Sequence, residues 1–382
     1  MITVSASFDS GAIEVIESQE GASGTVHLKL AIRQDLTSDP ACTFRQWFHF
    51  RLHGARARTC RIDFMNAGAC TYPRGWTDYR VVASYDRVDW FRVPTRYDGQ
   101  VMTIDHAPER DSIYYAYFEP YSYDRHLDLL GRMDGSPFAR VERLGQTVEG
   151  RDLDAVILGS TDPGARKIWV IARQHPGESM AEWFVDGMLA RLIDPNDAIA
   201  RQLRHRATFY VVPNMNPDGS VRGNLRANAA GANLNREWAT PSIERSPEVY
   251  HVRDRLSRTG VDAFVDVHGD EALPYVFIAG NEMLPGFTPE RAAVQTQFCD
   301  QFRRASPDFQ TAHGYPIGQY AVEALKLASK YVGHTFGCLS VTLELPFKDN
   351  ANDPDALRGW SGERSRRLGA AVLLPLLGTV QP

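Results

Sequence analysis

The sequence predicts an α/β sheet covered by helices on both faces, preceded by an antiparallel β-sandwich. Three observations predict it. The 382-residue length fits two domains at roughly 100–200 residues each. The chain up to about residue 118 is a succession of short alternating strand patterns, and from about residue 140 apolar strands alternate with helical stretches.

In the first part, TVHLKLAI, QWFHFRLHG, CRIDFMNAG, YRVVASY, DWFRVP, VMTIDH and IYYAYFEP are separated by Gly, Asp, Pro or Asn at close intervals. Strands this short with period-2 alternation make sandwiches or barrels, and nothing in them clusters as a catalytic site. Residues 119–139, EPYSYDRHLDLLGRMDGSPFA, read as a helical connector closed by Gly, Ser and Pro. The expected divisions are therefore 1–118, 119–139 and 140–382. Beyond them come the strand KIWVIAR, the helix MAEWFVDGMLARLI and the strand TFYVVPNM, then a long polar loop. A helix around EVYHVRDRLSR, the strands DAFVDVHG and YVFIAG, a helix around ERAAVQTQFCDQFRRA and the strand CLSVTLELPF follow. Continuous Val/Ile/Phe strands between amphipathic helices imply a sheet buried on both faces, whose sites gather at the strand C-terminal ends.

Composition narrows the function classes. Apolar residues are 43% and charged residues 23%, a globular mix. Forty-two basic against forty-seven acidic side chains give −5, without the basic excess of a nucleic-acid binder. The start MITVSASFDSGAIEVIES lacks a basic region followed by an apolar block, so no signal peptide is expected. No apolar run approaches the ~20 residues of a membrane span, AAVLLPLL being broken by Pro375. The five cysteines are widely spaced and lack any C-x-x-C pair, which suits a reducing cytoplasmic compartment and excludes a thiolate zinc site. A homo-oligomer stays open.

Three constellations carry chemistry. His175-Pro-Gly-Glu178 follows the strand KIWVIAR directly, so both side chains emerge at a strand's carboxyl end. A catalytic zinc needs three protein ligands and an open position; His268, ending DAFVDVHG in the same manner, is the natural third. Asp266, two residues earlier on that strand, is a candidate to orient His268. The stretch 213–238 has little periodicity, and a loop of that length persists in a compact domain when it builds a site. Within it Arg226 and Arg236 have planar forks suited to an anionic group, and Asn235 adds donors; surface ion pairs are the plain alternative. In SVTLELPF, Val341, Leu343 and Leu345 share one face and Thr342 and Glu344 the other. A carboxylate in so apolar a strand must be paired or line a cleft, where burial raises its pKa and a nearby zinc favours its charged form.

These motifs resemble the zinc metallocarboxypeptidases, and within them the cytosolic carboxypeptidase subfamily, whose best-known members remove glutamates from protein tails. The resemblance rests on HPGE, NPDG…GNLR…GANLNREW, DVHG and TLELP in the second half, and on RQWFHFRL and YFEPYSYDRHLDLL in the first. It implies a mixed-sheet, phosphorylase/hydrolase-like catalytic domain after the β-sandwich. It implies one zinc per chain held by His175, Glu178 and His268, with Glu344 as general base and later acid. Arg226 would polarise the scissile carbonyl, and Asn235 with Arg236 would anchor the C-terminal carboxylate of a peptide or protein tail, Arg236 being taken as buried. The family's mobile-loop tyrosine falls on Tyr320 or Tyr331 of GQYAVEALKLASKYVG, Tyr320 being favoured. The same stretch brings Lys326, Lys330 and His334 towards side-chain selection, with Lys330 taken as substrate-binding and a solvated basic helix as the plain alternative; the subfamily resemblance favours acidic terminal residues. Two other readings stand beside this one: an aspartoacylase-like amidohydrolase acting on N-acyl amino acids, and a non-catalytic peptide-binding module. The first usually carries its β-domain C-terminally, the second would have lost a ligand or Glu344.

Overall fold

Alternation in VHLKLA buries Val26, Leu28 and Leu30 and leaves the residues between them half-exposed, as in a strand with one face on a core. The protein is described from a computed structural model, which covers residues 2–21, 24–318 and 322–380. Among these, the first part consists of β1 (Thr3–Ser5), β2 (Glu14–Glu20), β3 (Val26–Ala31), β4 (His49–His53), β5 (Cys60–Phe64), β6 (Val82–Ser84), β7 (Trp90–Arg92), β8 (Thr95–Tyr97), β9 (Met102–His106) and β10 (Ser112–Ala116). They form two five-stranded sheets, ordered β1-β4-β10-β6-β7 and β2-β3-β5-β9-β8. The pairings run antiparallel except β3 with β5, which is parallel. Every strand expected here forms. β1, β2 and β8 were not expected: β1 and β8 are three residues long, and β2 is a charged, exposed edge.

Helix α1 (Tyr123–Asp134), capped by Ser122 accepting from the Arg125 amide, leads into the second part. There β11 (Ala139–Gln146), β12 (Asp152–Gly159), β13 (Arg166–Ala172), β14 (Ala207–Val212), β15 (Ala263–Asp270), β16 (Phe277–Ala279) and β17 (Leu339–Pro346) build one seven-stranded sheet. Its order is β11-β12-β14-β13-β15-β17-β16, with β14, β13, β15 and β17 parallel and the edges antiparallel. Around it lie α2 (Met180–Leu192), α3 (Ala198–Arg206), α4 (Pro217–Arg222), α5 (Pro247–Thr259), α6 (Pro289–Ala305), α7 (Ala328–Phe336), α8 (Gly362–Ala371) and α9 (Leu373–Thr379).

β13 shows why its stretch from Ile168 to Ala172 is apolar without interruption. Ile168, Val170 and Ala172 enter a core shared with α2, while Trp169 and Ile171 enter a second core beneath α5 and α7. The first core runs on into the sandwich, where Tyr117 stacks on Phe347 just past β17, ring centroids 4.4 Å apart. Helix α2 departs from the expected amphipathic pattern: it is buried almost all round. The crossing with α8 explains this, since a Cβ at Gly187 would lie 2.0 Å from the Arg366 carbonyl oxygen and one at Gly369 1.9 Å from that of Phe184. Backbone-to-backbone contact of that kind leaves room only for glycine.

Candidate metal centre and active site

β13 ends at Ala172, and the next residue, Arg173, takes a left-handed conformation at φ 59°. Strain of this kind costs about 1–3 kcal/mol and persists only where surroundings enforce it. Here the buried guanidinium is fastened by three bonds: to the Pro176 carbonyl at 2.9 Å, the Tyr121 carbonyl at 2.8 Å and the Glu182 carboxylate at 2.7 Å. Residues 174–178 are thereby turned across the strand ends. Gly177 lets this turn approach the 225 loop, its amide donating to the Leu225 carbonyl at 2.9 Å, where a Cβ would come within 3.0 Å of the same oxygen. β15 runs past the last paired residue of β13, carrying His268 beyond it, in register with Glu344 on β17.

The result is a cluster of His175, Glu178 and His268, all buried, whose ligand atoms lie within 4.8 Å of one another. His175 Nδ1 is 2.7 Å from Glu178 Oε1, His268 Nδ1 is 2.7 Å from Glu178 Oε2, and the two Nδ1 atoms are 3.1 Å apart. The outer nitrogens are engaged elsewhere. His175 Nε2 meets Asn233 Oδ1 at 3.0 Å, and His268 Nε2 meets Asp266 Oδ2 at 2.9 Å. Placing the protons on Nε2 satisfies both outer acceptors and leaves the two Nδ1 lone pairs facing the carboxylate, the arrangement of a metal-ligating pair with oriented rings. Asp266 thus has the orienting position expected of it, and Gln174 holds the same Asp266 oxygen at 2.8 Å. Electrostatics favour a cation here. Burial works against charge on His268, yet Asp266 and Glu178 outweigh it and move its pKa well up. His175 is pushed down to about 3 by burial and then by Arg226, so its ring is neutral and ready to ligate. Two neutral-capable imidazoles and one carboxylate, with no thiolate near, fit zinc.

These residues open onto a cleft of about 810 Å³, also lined by Glu344, Asn235, Arg236, Arg226 and Lys330. Glu344 is buried with Oε2 lacking any hydrogen-bond partner. Its pKa is raised to about 8, by burial first and by Glu178, Asp270 and Asp266 after it, with His268 opposing. Asn235 accepts the Ala328 amide at 2.9 Å through Oδ1, leaving its amide nitrogen towards the site. Arg236 is exposed rather than buried: it sits at the cleft mouth, and Nη1 donates to the Asn235 carbonyl at 2.7 Å. Arg226 is half-buried, and Lys330 is buried at the cleft wall, its pKa pushed down to about 8 by burial against the pull of Glu282. Lys326 and His334 are exposed and do not line the cleft. Tyr331 is not at the site; it packs near Trp238, ring centroids 6.2 Å apart, with Arg253 4.3 Å over its ring. Tyr320 lies outside the described residues.

The stretch 213–238 is less irregular than its sequence suggests. Asn216 caps α4 by accepting the Gly219 amide, Pro217 begins it and left-handed Gly223 ends it. Leu234–Arg236 forms a 3-10 turn that presents Asn235 and Arg236. Several cleft residues escaped sequence reading: Asp270 and Glu271, two and three residues after His268 in HGDE; Tyr315, whose hydroxyl donates to Asp270 Oδ2 at 2.6 Å; and Tyr72 from the sandwich. Only the acidic pair left a local signal.

A mixed sheet bearing this ligand cluster at its strand ends, with a carboxylate and cations in the same cleft, defines a metal-dependent hydrolase. Residues 4–118 match the family model of the cytosolic carboxypeptidase N-terminal domain, and residues 127–357 match that of zinc carboxypeptidase. The chain belongs to the zinc carboxypeptidase family and is a zinc-dependent peptide hydrolase. A solved metallo-carboxypeptidase from Burkholderia cenocepacia is 57% identical, with TM-score 0.95 over 100% of this chain and 99% of that one. Another from Pseudomonas aeruginosa, in complex with (2-guanidinoethylmercapto)succinic acid, is 44% identical with TM-score 0.93 over 99% and 100%. Cytosolic carboxypeptidase 6 of Caenorhabditis elegans is 27% identical over 369 residues, 90% of this chain and 78% of its own. Membership sets aside the amidohydrolase and the non-catalytic module. Among the described residues, no helix is long and apolar enough to cross a membrane.

Proposed function

We propose that the protein is an exopeptidase that hydrolyses the last peptide bond of peptides or protein tails, with acidic terminal residues favoured. The observation that carries it is the convergence, in one cleft, of the His175–Glu178–His268 cluster, the unpartnered Glu344 Oε2 and the Asn235–Arg236 pair. His175, Glu178 and His268 hold the zinc. When bound, the zinc supplies Lewis acidity, lowering the pKa of a coordinated water towards ~7 and drawing charge from a carbonyl oxygen. Glu344 accepts the proton of the attacking water at Oε2 and returns it to the departing amine. Arg226 faces the negative charge that develops on the carbonyl oxygen, oriented before the reaction begins. Asn235 and Arg236 hold the free terminal carboxylate. Lys330 has no ion-pair or hydrogen-bond partner among the described residues and lines the same cleft, which supports a terminal Glu or Asp side chain as its counter-charge. Five free cysteines suit the reducing cytoplasm.

Amidating the substrate's C-terminus tests the exopeptidase reading, because it removes the anchored charge and no side chain. A buried charge pair would cost about 2–5 kcal/mol to break; Arg236 is exposed, so at most the lower end applies, about thirtyfold in kcat/KM for ~2 kcal/mol. Arg236→Ala should weaken cleavage of the free acid and scarcely change the amide, since both remove one interaction. Equal rates on acid and amide would overturn the anchor.

A further inference from the structure

We infer that the N-terminal sandwich is a working part of the active site: Asp35 and Tyr72, both from that domain, are positioning residues that hold Arg226 in place. This rests on the reading above in which Arg226 meets the developing charge.

Asp35 follows β3 in the segment RQD and is buried. Its carboxylate crosses to the catalytic domain and accepts three successive amides. Leu225 donates to Oδ1 at 2.6 Å, and Arg226 and Ala227 each donate to Oδ2 at 2.8 Å. Consecutive amides turned towards one anion form a concave site that fixes the backbone conformation. Neighbouring bonds tighten the same seam: the Leu36 amide donates to Asn224 Oδ1 at 2.7 Å, Asn224 Nδ2 to the Leu36 carbonyl at 3.1 Å, and the Ser38 amide to the Ala229 carbonyl at 2.8 Å. On the opposite side the Leu225 carbonyl receives the Gly177 amide of the metal loop. The loop bearing Arg226 is thus clamped between the sandwich and the ligand loop.

The guanidinium itself makes no hydrogen bond or ion pair with the described residues. What it has is the Tyr72 ring, 5.4 Å from its centre, a contact within cation–π range. Glu178, Glu271 and Glu344 all pull on its charge, so a guanidinium without anchored backbone or ring cover would swing towards one of them. Its aim is set by the sandwich. Asparagine cannot reproduce these contacts, because it keeps one accepting oxygen and turns its side-chain N–H groups towards an amide that the other oxygen served.

The test measures kcat, KM and zinc content for Asp35→Asn, Arg226→Ala and the double variant. Misplacing a catalytic group by about an ångström costs roughly a hundredfold. Asp35→Asn should therefore lower kcat by about ten- to a hundredfold, with KM within about threefold and one zinc per chain retained. In the Arg226→Ala background the same substitution should add less than about twofold, since there is no arginine left to position. An Asp35→Asn protein with wild-type kcat overturns the inference. So does an equal loss in both backgrounds, or a loss that follows lost zinc, either of which marks general structural damage. Should Asp35→Asn not fold, Tyr72 at the cleft lip decides. Tyr72→Leu should lower kcat about fivefold or more, and Tyr72→Phe, which keeps the ring, should recover most of it; no loss with leucine overturns the inference. Arg226→Ala with undiminished kcat would instead bring down the Arg226 assignment and this inference with it, whereas a loss there without an Asp35 effect defeats the inference alone.

Discussion

Glu344 is the side chain on which the proposed chemistry turns, and its alternatives separate cleanly by substitution. Glu344→Gln keeps shape, burial and the zinc cluster but removes the proton acceptor, so kcat should fall about 10²–10⁴-fold while KM and zinc content hold. A variant keeping more than about a tenth of wild-type kcat in steady-state assays would rule out the base. Lys330 offers a test by pH. Burial lowers its pKa from the usual value near 10.5 to about 8, so its charge is present below that point and lost as pH rises through it. Cleavage of a Glu-terminal peptide should accordingly weaken above about pH 8 relative to a Leu-terminal one, and Lys330→Met should erase that difference. A ratio independent of pH in the wild-type enzyme would free Lys330 from side-chain selection. Glu344, His268 and Asp266 were legible because strand alternation states which face each occupies. Tyr72 and Asp35 were not: they reach Arg226 across more than a hundred residues of chain, and no local pattern announces such a contact.

At the scale of elements, helix α2 links the metal loop to the rest of the fold. Glu178 lies just before it, and its outer face is covered by α8 through Gly187 and Gly369. Gly187→Ala forces a Cβ against the Arg366 carbonyl, an unyielding backbone atom, and overpacking of that sort costs about 1–3 kcal/mol. Denaturant unfolding should show a lower midpoint with an unchanged slope; an unchanged midpoint would mean that the helices part without penalty. The sequence predicted α2 but gave it a solvent face, since its partner α8 lies far along the chain in a stretch with no sharp start signal besides Ser361, which caps it. The opposite error came in 213–238, where Asn216-Pro217 and Gly223 spell a helix start and stop that polarity obscured. Motif spacing located the residues of that stretch; turn chemistry would have located their backbone.

The molecule as a whole reads as one cooperative body. Arg92 of the sandwich is buried and donates to carbonyls of the catalytic part: Phe347 at 2.8 Å, Lys348 at 2.7 Å, Trp360 at 3.1 Å and Arg358 at 3.1 Å. The Phe347 and Lys348 carbonyls lie just beyond β17, the strand that carries Glu344, and Tyr117 stacks on Phe347 in the same place. A single apolar core extends from Phe48 and Phe64 through Phe347 to Val170. Cutting the chain at residue 119 would bare the apolar surface that Phe347 and its neighbours now bury against the sandwich, at roughly 25 cal/mol for each Å² exposed, against a total stability of only about 5–15 kcal/mol. The fragment 119–382 should therefore fail to fold alone, recovered as aggregate or without a cooperative thermal transition. The full chain should unfold in one step, with zinc release and tryptophan fluorescence changing together. A soluble fragment 119–382 that bound one zinc and melted cooperatively would make the sandwich an accessory, and two separate transitions in the full chain would say the same.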